Sequence, residues 1–143
     1  MMKKMFLPLI LIIGLGLGCQ THSSQKYLII LQAGTESHEG MARAVHALLY
    51  ATELKEAGYD VALVFDGAGT EWAKALLDPE NKLHPAYEKL EKMGVTQIIC
   101  DFCSRAFHVQ EDLKKGKAPL VAEFEGHPSL VKWLKQGYIP IVL

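Results

Sequence analysis

Val95-Thr96-Gln97-Ile98-Ile99 is an apolar run that stops at a thiol, and Cys100-Asp101-Phe102-Cys103-Ser104-Arg105-Ala106-Phe107 follows it directly. The first part has the length and β-branching of a covered strand, and the second can be helical. A strand that ends in cysteine and turns straight into a helix places sulfur at a helix N-terminus. There the unpaired backbone N–H groups and the positive end of the helix dipole favour a thiolate. A lowered thiol pKa is what makes cysteine a nucleophile and not core filler. The expectation is a reactive C-x-x-C pair at the carboxyl end of a strand.

Upstream, Tyr27-Leu28-Ile29-Ile30-Leu31-Gln32 and Asp60-Val61-Ala62-Leu63-Val64-Phe65 are two more apolar runs of strand length. Between them, Met41 to Ala57 has helical periodicity. Its apolar face is read as Met41, Val45, Leu48 and Thr52, widened by Ala44, Ala47, Ala51 and Leu54. Ser37 is a candidate cap and Gly58 a C-terminal stop. That face is broader than one sheet contact needs, which leaves surface for a second subunit. Asp66-Gly67-Ala68-Gly69-Thr70 lacks the P-loop lysine and the G-x-G-x-x-G spacing, so it reads as a tight strand-to-helix turn. Short helices are expected over Glu71 to Leu77 and Pro85 to Met93.

Downstream, Val109 to Lys115 continues helical and Pro119 to Ala122 is a short strand. Pro128 to Gln136 is the last helix, with Leu130, Val131 and Leu134 inward. Tyr138 to Leu143 is a final strand, and Pro140 within it suits a sheet edge because it removes a ladder donor. Alternating apolar strands and helices imply an α/β fold with a five-stranded parallel sheet covered on both faces.

Ligands of such sheets meet the carboxyl ends of strands, near the point where strand order reverses. In the common order 2-1-3-4-5 that crevice lies between strands one and three. It would gather Glu36, Ser37 and His38 with the two thiols, and the loop Glu125 to His127 would open on the same edge. Each residue has a plainer alternative. Cys100 could be a buried strand-end cysteine, and His38 a surface histidine instead of a general base or thiolate partner. His127, before Pro128, is ranked as a helix cap ahead of catalysis, and His108 is placed on a helix flank. Arg105 could stabilise a thiolate or be solvated. The cysteine spacing suits zinc, but no second C-x-x-C or H-x-x-x-H completes a ligand set, so neither metal nor cofactor is expected.

Composition bounds the rest. The chain has 143 residues, half of them hydrophobic, and a formal charge of −1, which gives no basic footprint for nucleic acid. Met1 to Lys4 is a short basic start, and Phe6 to Leu17 has the size of a signal h-region and not of a membrane span. Leu15-Gly16-Leu17-Gly18-Cys19 resembles a bacterial lipoprotein signal, although Gly16 stands where an aliphatic residue is preferred. The expected organisation is a signal peptide over 1–18, a tether over 19–26 starting at a lipidated Cys19, and one domain over 27–143. The protein would then be exported and held at the cell envelope.

Four stretches in order resemble the DsrE-like proteins (DsrE/DsrF, YchN-like). They are Tyr27-Leu28-Ile29-Ile30-Leu31, Val64-Phe65-Asp66-Gly67-Ala68-Gly69-Thr70, Cys100-Asp101-Phe102-Cys103 and Glu125-Gly126-His127-Pro128-Ser129-Leu130. The resemblance implies a flavodoxin-like/YchN-like three-layer α/β fold with a five-stranded, mostly parallel sheet, assembled as trimers or hexamers. Better-understood relatives carry sulfur as a persulfide on a cysteine after the third strand. Cys100 matches that position, and Cys103 a second cysteine of some members. Two departures stand out: those relatives work in the cytoplasm, and His108 occupies a place where relatives usually have glycine.

Three functions are thereby in competition. The first is a persulfide carrier that uses Cys100 and Cys103, exchanging sulfur with a donor or acceptor protein. The second is a thiol–disulfide redox protein. The third is a non-catalytic oligomeric module that binds a ligand or partner.

Overall fold

The structure, a computed structural model, describes residues 25–143. The signal peptide, the lipidation of Cys19 and nearly all of the tether therefore fall outside the described residues. The elements run β1 (Lys26–Leu31), α1 (His38–Glu56), β2 (Asp60–Phe65), α2 (Gly69–Ala75), α3 (His84–Lys92), β3 (Thr96–Cys100), α4 (Asp101–Ala106), α5 (Gln110–Lys115), β4 (Leu120–Val121), α6 (Leu130–Lys135) and β5 (Tyr138–Val142). All strand pairings are parallel, and the order across the sheet is β4-β3-β2-β1-β5. Pro140 lies on an edge strand, as its missing N–H requires.

This order replaces the expected 2-1-3-4-5. Strands one and three are not neighbours, because β2 lies between them. The reason is in the crossovers. The steps from β1 to β2, β3 and β4 all move the same way, so right-handed connections place their helices on one face. The last step reverses. From β4 the chain must travel back over β3, β2 and β1 to form β5 on the far edge.

Burial follows the period of two along each strand. Ile29, Leu31, Val61, Leu63, Phe65 and Ile99 face the larger core with α1, α2, α3 and α5. Leu28, Ala62, Val64 and Ile98 face the other way, towards Trp133 of α6 and Tyr138. The second face is thinly covered. The expected inward positions of α6 are corrected here: Leu130 is 48 % exposed, Val131 57 % and Leu134 46 %, while Trp133 is 8 % exposed. A helix this short meets the sheet through one large side chain, and Trp133 stacks edge-on against Tyr138 at 4.8 Å.

The inward face of α1 is the alanine-rich part of the broad face expected, narrower than that reading. It consists of Ala44, Ala47, Leu48 and Ala51, and Met41 is exposed. Small residues decide this, since they let the helix approach the sheet closely. At Gly40 a Cβ would lie 2.0 Å from the Gly34 carbonyl oxygen. Ser37 caps α1 by accepting the Gly40 N–H at 2.9 Å. Gly69 plays a similar part in the turn after β2, where a Cβ would meet the Leu31 oxygen at 2.0 Å. That turn is a close-packing device, as the sequence indicated.

The helical run after Cys103 is not continuous. It breaks between α4 and α5, and His108 sits in the break with φ of 56°. His108 therefore lies in a left-handed turn and not on a helix flank. Glycine is the residue such a turn favours.

Candidate functional site

The loops at the carboxyl ends of β2, β3 and β4 converge on one cluster. Asp66 is the first residue past β2 and Cys100 the last of β3. The register pairs Phe65 with Ile99, so Asp66 and Cys100 come next, side by side. Cys100 serves as the cap of α4, its Sγ accepting the Cys103 N–H at 3.4 Å. One turn on, Cys103 points back and donates its thiol to Asp66 Oδ1 at 3.3 Å.

The fourth member arrives on the long return from β4. Phe124 and His127 form an antiparallel bridge around Glu125 and Gly126, both at positive φ. Two such residues at the centre of a tight turn match the twist of a hairpin. The turn is fastened to α4 through the Phe102 N–H, which donates to Gly126 O at 3.0 Å. Phe102 also packs its ring against the His127 imidazole, with centroids 4.7 Å apart. His127 Nδ1 is thereby held 3.2 Å from Cys100 Sγ and 3.8 Å from Cys103 Sγ. The helix cap expected of His127 is supplied instead by Ser129, whose Oγ accepts the Lys132 N–H at 3.3 Å.

Electrostatics correct a second expectation. Burial pushes the Cys100 thiol up to about 12, well above the ordinary value, although the Cys103 N–H partly offsets it. Cys103 is pushed up too, again by burial first. The single N–H at the cap does not compensate for lost water, so the thiols are not spontaneously ionised. Asp66 behaves in the opposite way. Burial raises its carboxyl, but hydrogen bonds from Gln32, the two thiols and the Gly67 amide outweigh that and hold it below the usual carboxylate range. The site thus pairs an ionised carboxylate with two protonated thiols and an imidazole within reach of both.

Access is one-sided. Cys100 is fully buried, and Cys103 is 9 % exposed. Asp66 and His127 line one end of a cleft of about 240 Å³ between the sheet and α6. Its walls include Leu28, Ile30, Val64 and Trp133.

The remaining sequence candidates lie apart from the cluster. Glu36 and His38 are exposed at the start of α1, on the loop that follows β1. Arg105 pairs with Asp101 at 3.4 Å and lies over the Phe102 ring, so it braces the segment that carries Phe102 and does not stabilise a thiolate. Asp66 was missed. Its signal was available, since it follows an apolar strand just as Cys100 does.

The DsrE/DsrF-like family matches residues 25–143. An uncharacterised protein of Methanocaldococcus jannaschii is 39 % identical over 103 residues, covering 72 % of this chain and 82 % of the relative. A conserved protein of unknown function from Bacteroides thetaiotaomicron has a similar fold, with a TM-score of 0.58 at 17 % identity over 83 % of this chain and 95 % of its own. With its family match running through the whole sheet and both thiols, the chain belongs to the DsrE/DsrF-like family.

Proposed function

We propose that the protein is a sulfur carrier that holds a sulfane sulfur as a persulfide on Cys100. The observation that carries this reading is the 3.2 Å approach of His127 Nδ1 to Cys100 Sγ. A buried thiol held up near 12 needs a base at hand, and the imidazole is one. The Cys100 proton passes to His127, and the thiolate attacks the outer sulfur of a donor persulfide. The new S–S bond forms on Cys100 as the donor's S–S bond breaks, and the leaving thiolate takes the proton back from His127. An acceptor thiolate then removes the outer sulfur. Alternatively, Cys103 attacks Cys100 Sγ, expels hydrosulfide and closes a disulfide. The donor approaches through the cleft that His127 and Asp66 line, beside the buried Cys100.

The test is intact mass after treatment with a persulfide donor under chelator. The wild type gains whole sulfur atoms, Cys100→Ser gains none, and Cys103→Ser still gains one. Unchanged mass in the wild type overturns the reading.

We also place the carrier at the cell envelope as a homo-oligomer, trimeric or hexameric. The first part rests on the lipoprotein-type signal ending at Cys19, and membrane extraction with mass analysis of Cys19 tests it. No helix among the described residues is long and apolar enough to cross a membrane. The second part is supported by the apolar residues exposed on α6 and β5.

A further inference from the structure

We propose that Asp66, Cys100, Cys103 and His127 bind one divalent transition-metal ion of the zinc type. One ligand atom from each residue, two Sγ, an imidazole Nδ1 and a carboxylate oxygen, lies within 4.8 Å of all the others. Three separations, 3.2 Å from Cys100 to His127, 3.3 Å from Cys103 to Asp66 and 3.8 Å from Cys103 to His127, bracket the edges of a zinc tetrahedron. Bonds of about 2.0–2.3 Å at tetrahedral angles give edges of roughly 3.3–3.8 Å. With every pair inside 4.8 Å, no separation needs to shorten by more than about 1–1.5 Å to close on an ion.

The chemistry of the set selects the ion. Two thiolates with an imidazole suit zinc and its neighbours and disfavour magnesium or calcium, which take oxygen. Supporting contacts are already in place. Gln32 Nε2 donates to Asp66 Oδ2 at 3.0 Å, which leaves Oδ1 turned towards the sulfurs. The Cys103 N–H donates to Cys100 Sγ at 3.4 Å, and Phe102 fixes the plane of His127. Binding releases the two thiol protons to solvent. Two thiolates and a carboxylate then face the dication, leaving one net negative charge in the cluster.

Metal and sulfane sulfur would compete for the same thiols, so this inference does not rest on the carrier reading. It is tested without any sulfur donor. The full chain, reduced and stripped with chelator, is titrated with Co²⁺ as a spectroscopic stand-in for Zn²⁺. The expected result is one equivalent per chain, with thiolate charge-transfer and intense tetrahedral ligand-field bands, displaced by one equivalent of Zn²⁺. Asp66→Asn and His127→Ala each weaken the apparent affinity at least tenfold. X-ray absorption on the zinc-loaded wild type, which needs no variant to fold, shows two sulfur and two nitrogen or oxygen neighbours. Absence of thiolate-to-cobalt bands in protein with both thiols free overturns the proposal. So does unchanged affinity in both variants, or a shell without two sulfurs.

Discussion

Cys100 carries the argument at the scale of single residues, because its burial sets a pH dependence with a definite sign. Its thiol titrates near 12 in the folded chain, against about 8.5 for a free cysteine. The native state therefore keeps its proton while the unfolded state loses it. That contribution to stability is fully present below about pH 8.5 and is lost as pH rises from there towards 12. Cys100→Ala is expected to lose less stability than the wild type between pH 7 and pH 10, measured by urea unfolding under chelator and reductant. Tyr87 and Tyr138 are also pushed up, first by burial, but they act equally in both proteins and cancel in the comparison. Equal losses in the two proteins would show that Cys100 is solvated. The two thiols were legible in the sequence because a strand, a cysteine and a helix start are local signals. Their pKa was not. It depends on the layers above and below Cys100, which no stretch of thirteen residues reveals.

At the scale of elements, local backbone demands separate what the sequence could show from what it could not. Gly58, Gly94 and Gly137 all have positive φ and end helices where the pattern placed those ends. His108 occupies the same kind of conformation without being glycine, and its position was read as an ordinary helical one. A side chain in that region costs about 1–2 kcal/mol, while glycine gives back roughly 0.5–1 kcal/mol in unfolded-state entropy. His108→Gly is therefore expected to raise stability by up to about 1.5 kcal/mol. Gly40→Ala is expected to lower it by about 1–3 kcal/mol, because its Cβ would press on the Gly34 carbonyl. Urea midpoints compared with the wild type check both, and a loss of stability in His108→Gly would mean that the imidazole makes a contribution the turn needs. The inward face of α1 is narrower than expected for a related reason. Hydrophobicity favours Met41 and Val45, but close approach to the sheet selects the alanines.

For the whole molecule, strand order is what joins the site and the surface. The reversal from β4 to β5 draws the chain across the carboxyl edge, and that passage sets His127 over Cys100 and Asp66. Nothing local in the sequence encodes the reversal, so the crevice was expected beside Glu36 and His38 instead. The same reversal leaves α6 to cover the second face of the sheet, with Trp133 as its one buried helical side chain among the described residues. Leu130, Val131 and Leu134 of α6, and Val142 on the face of β5 turned towards it, consequently stay exposed. Scattered exposed apolar residues are ordinary, whereas a group on two adjoining elements suits the subunit contact proposed above. Replacing Val131 with Lys and Leu134 with Glu together should leave the monomer folded, since neither side chain is in the core. On the proposed assembly, the wild type is expected to sediment as a trimer or hexamer and the double variant as a monomer, with the same far-ultraviolet circular dichroism in both. If both proteins sediment alike as oligomers, the assembly uses another surface, and the exposed side of α1 around Met41, Leu49 and Tyr50 is the next to substitute.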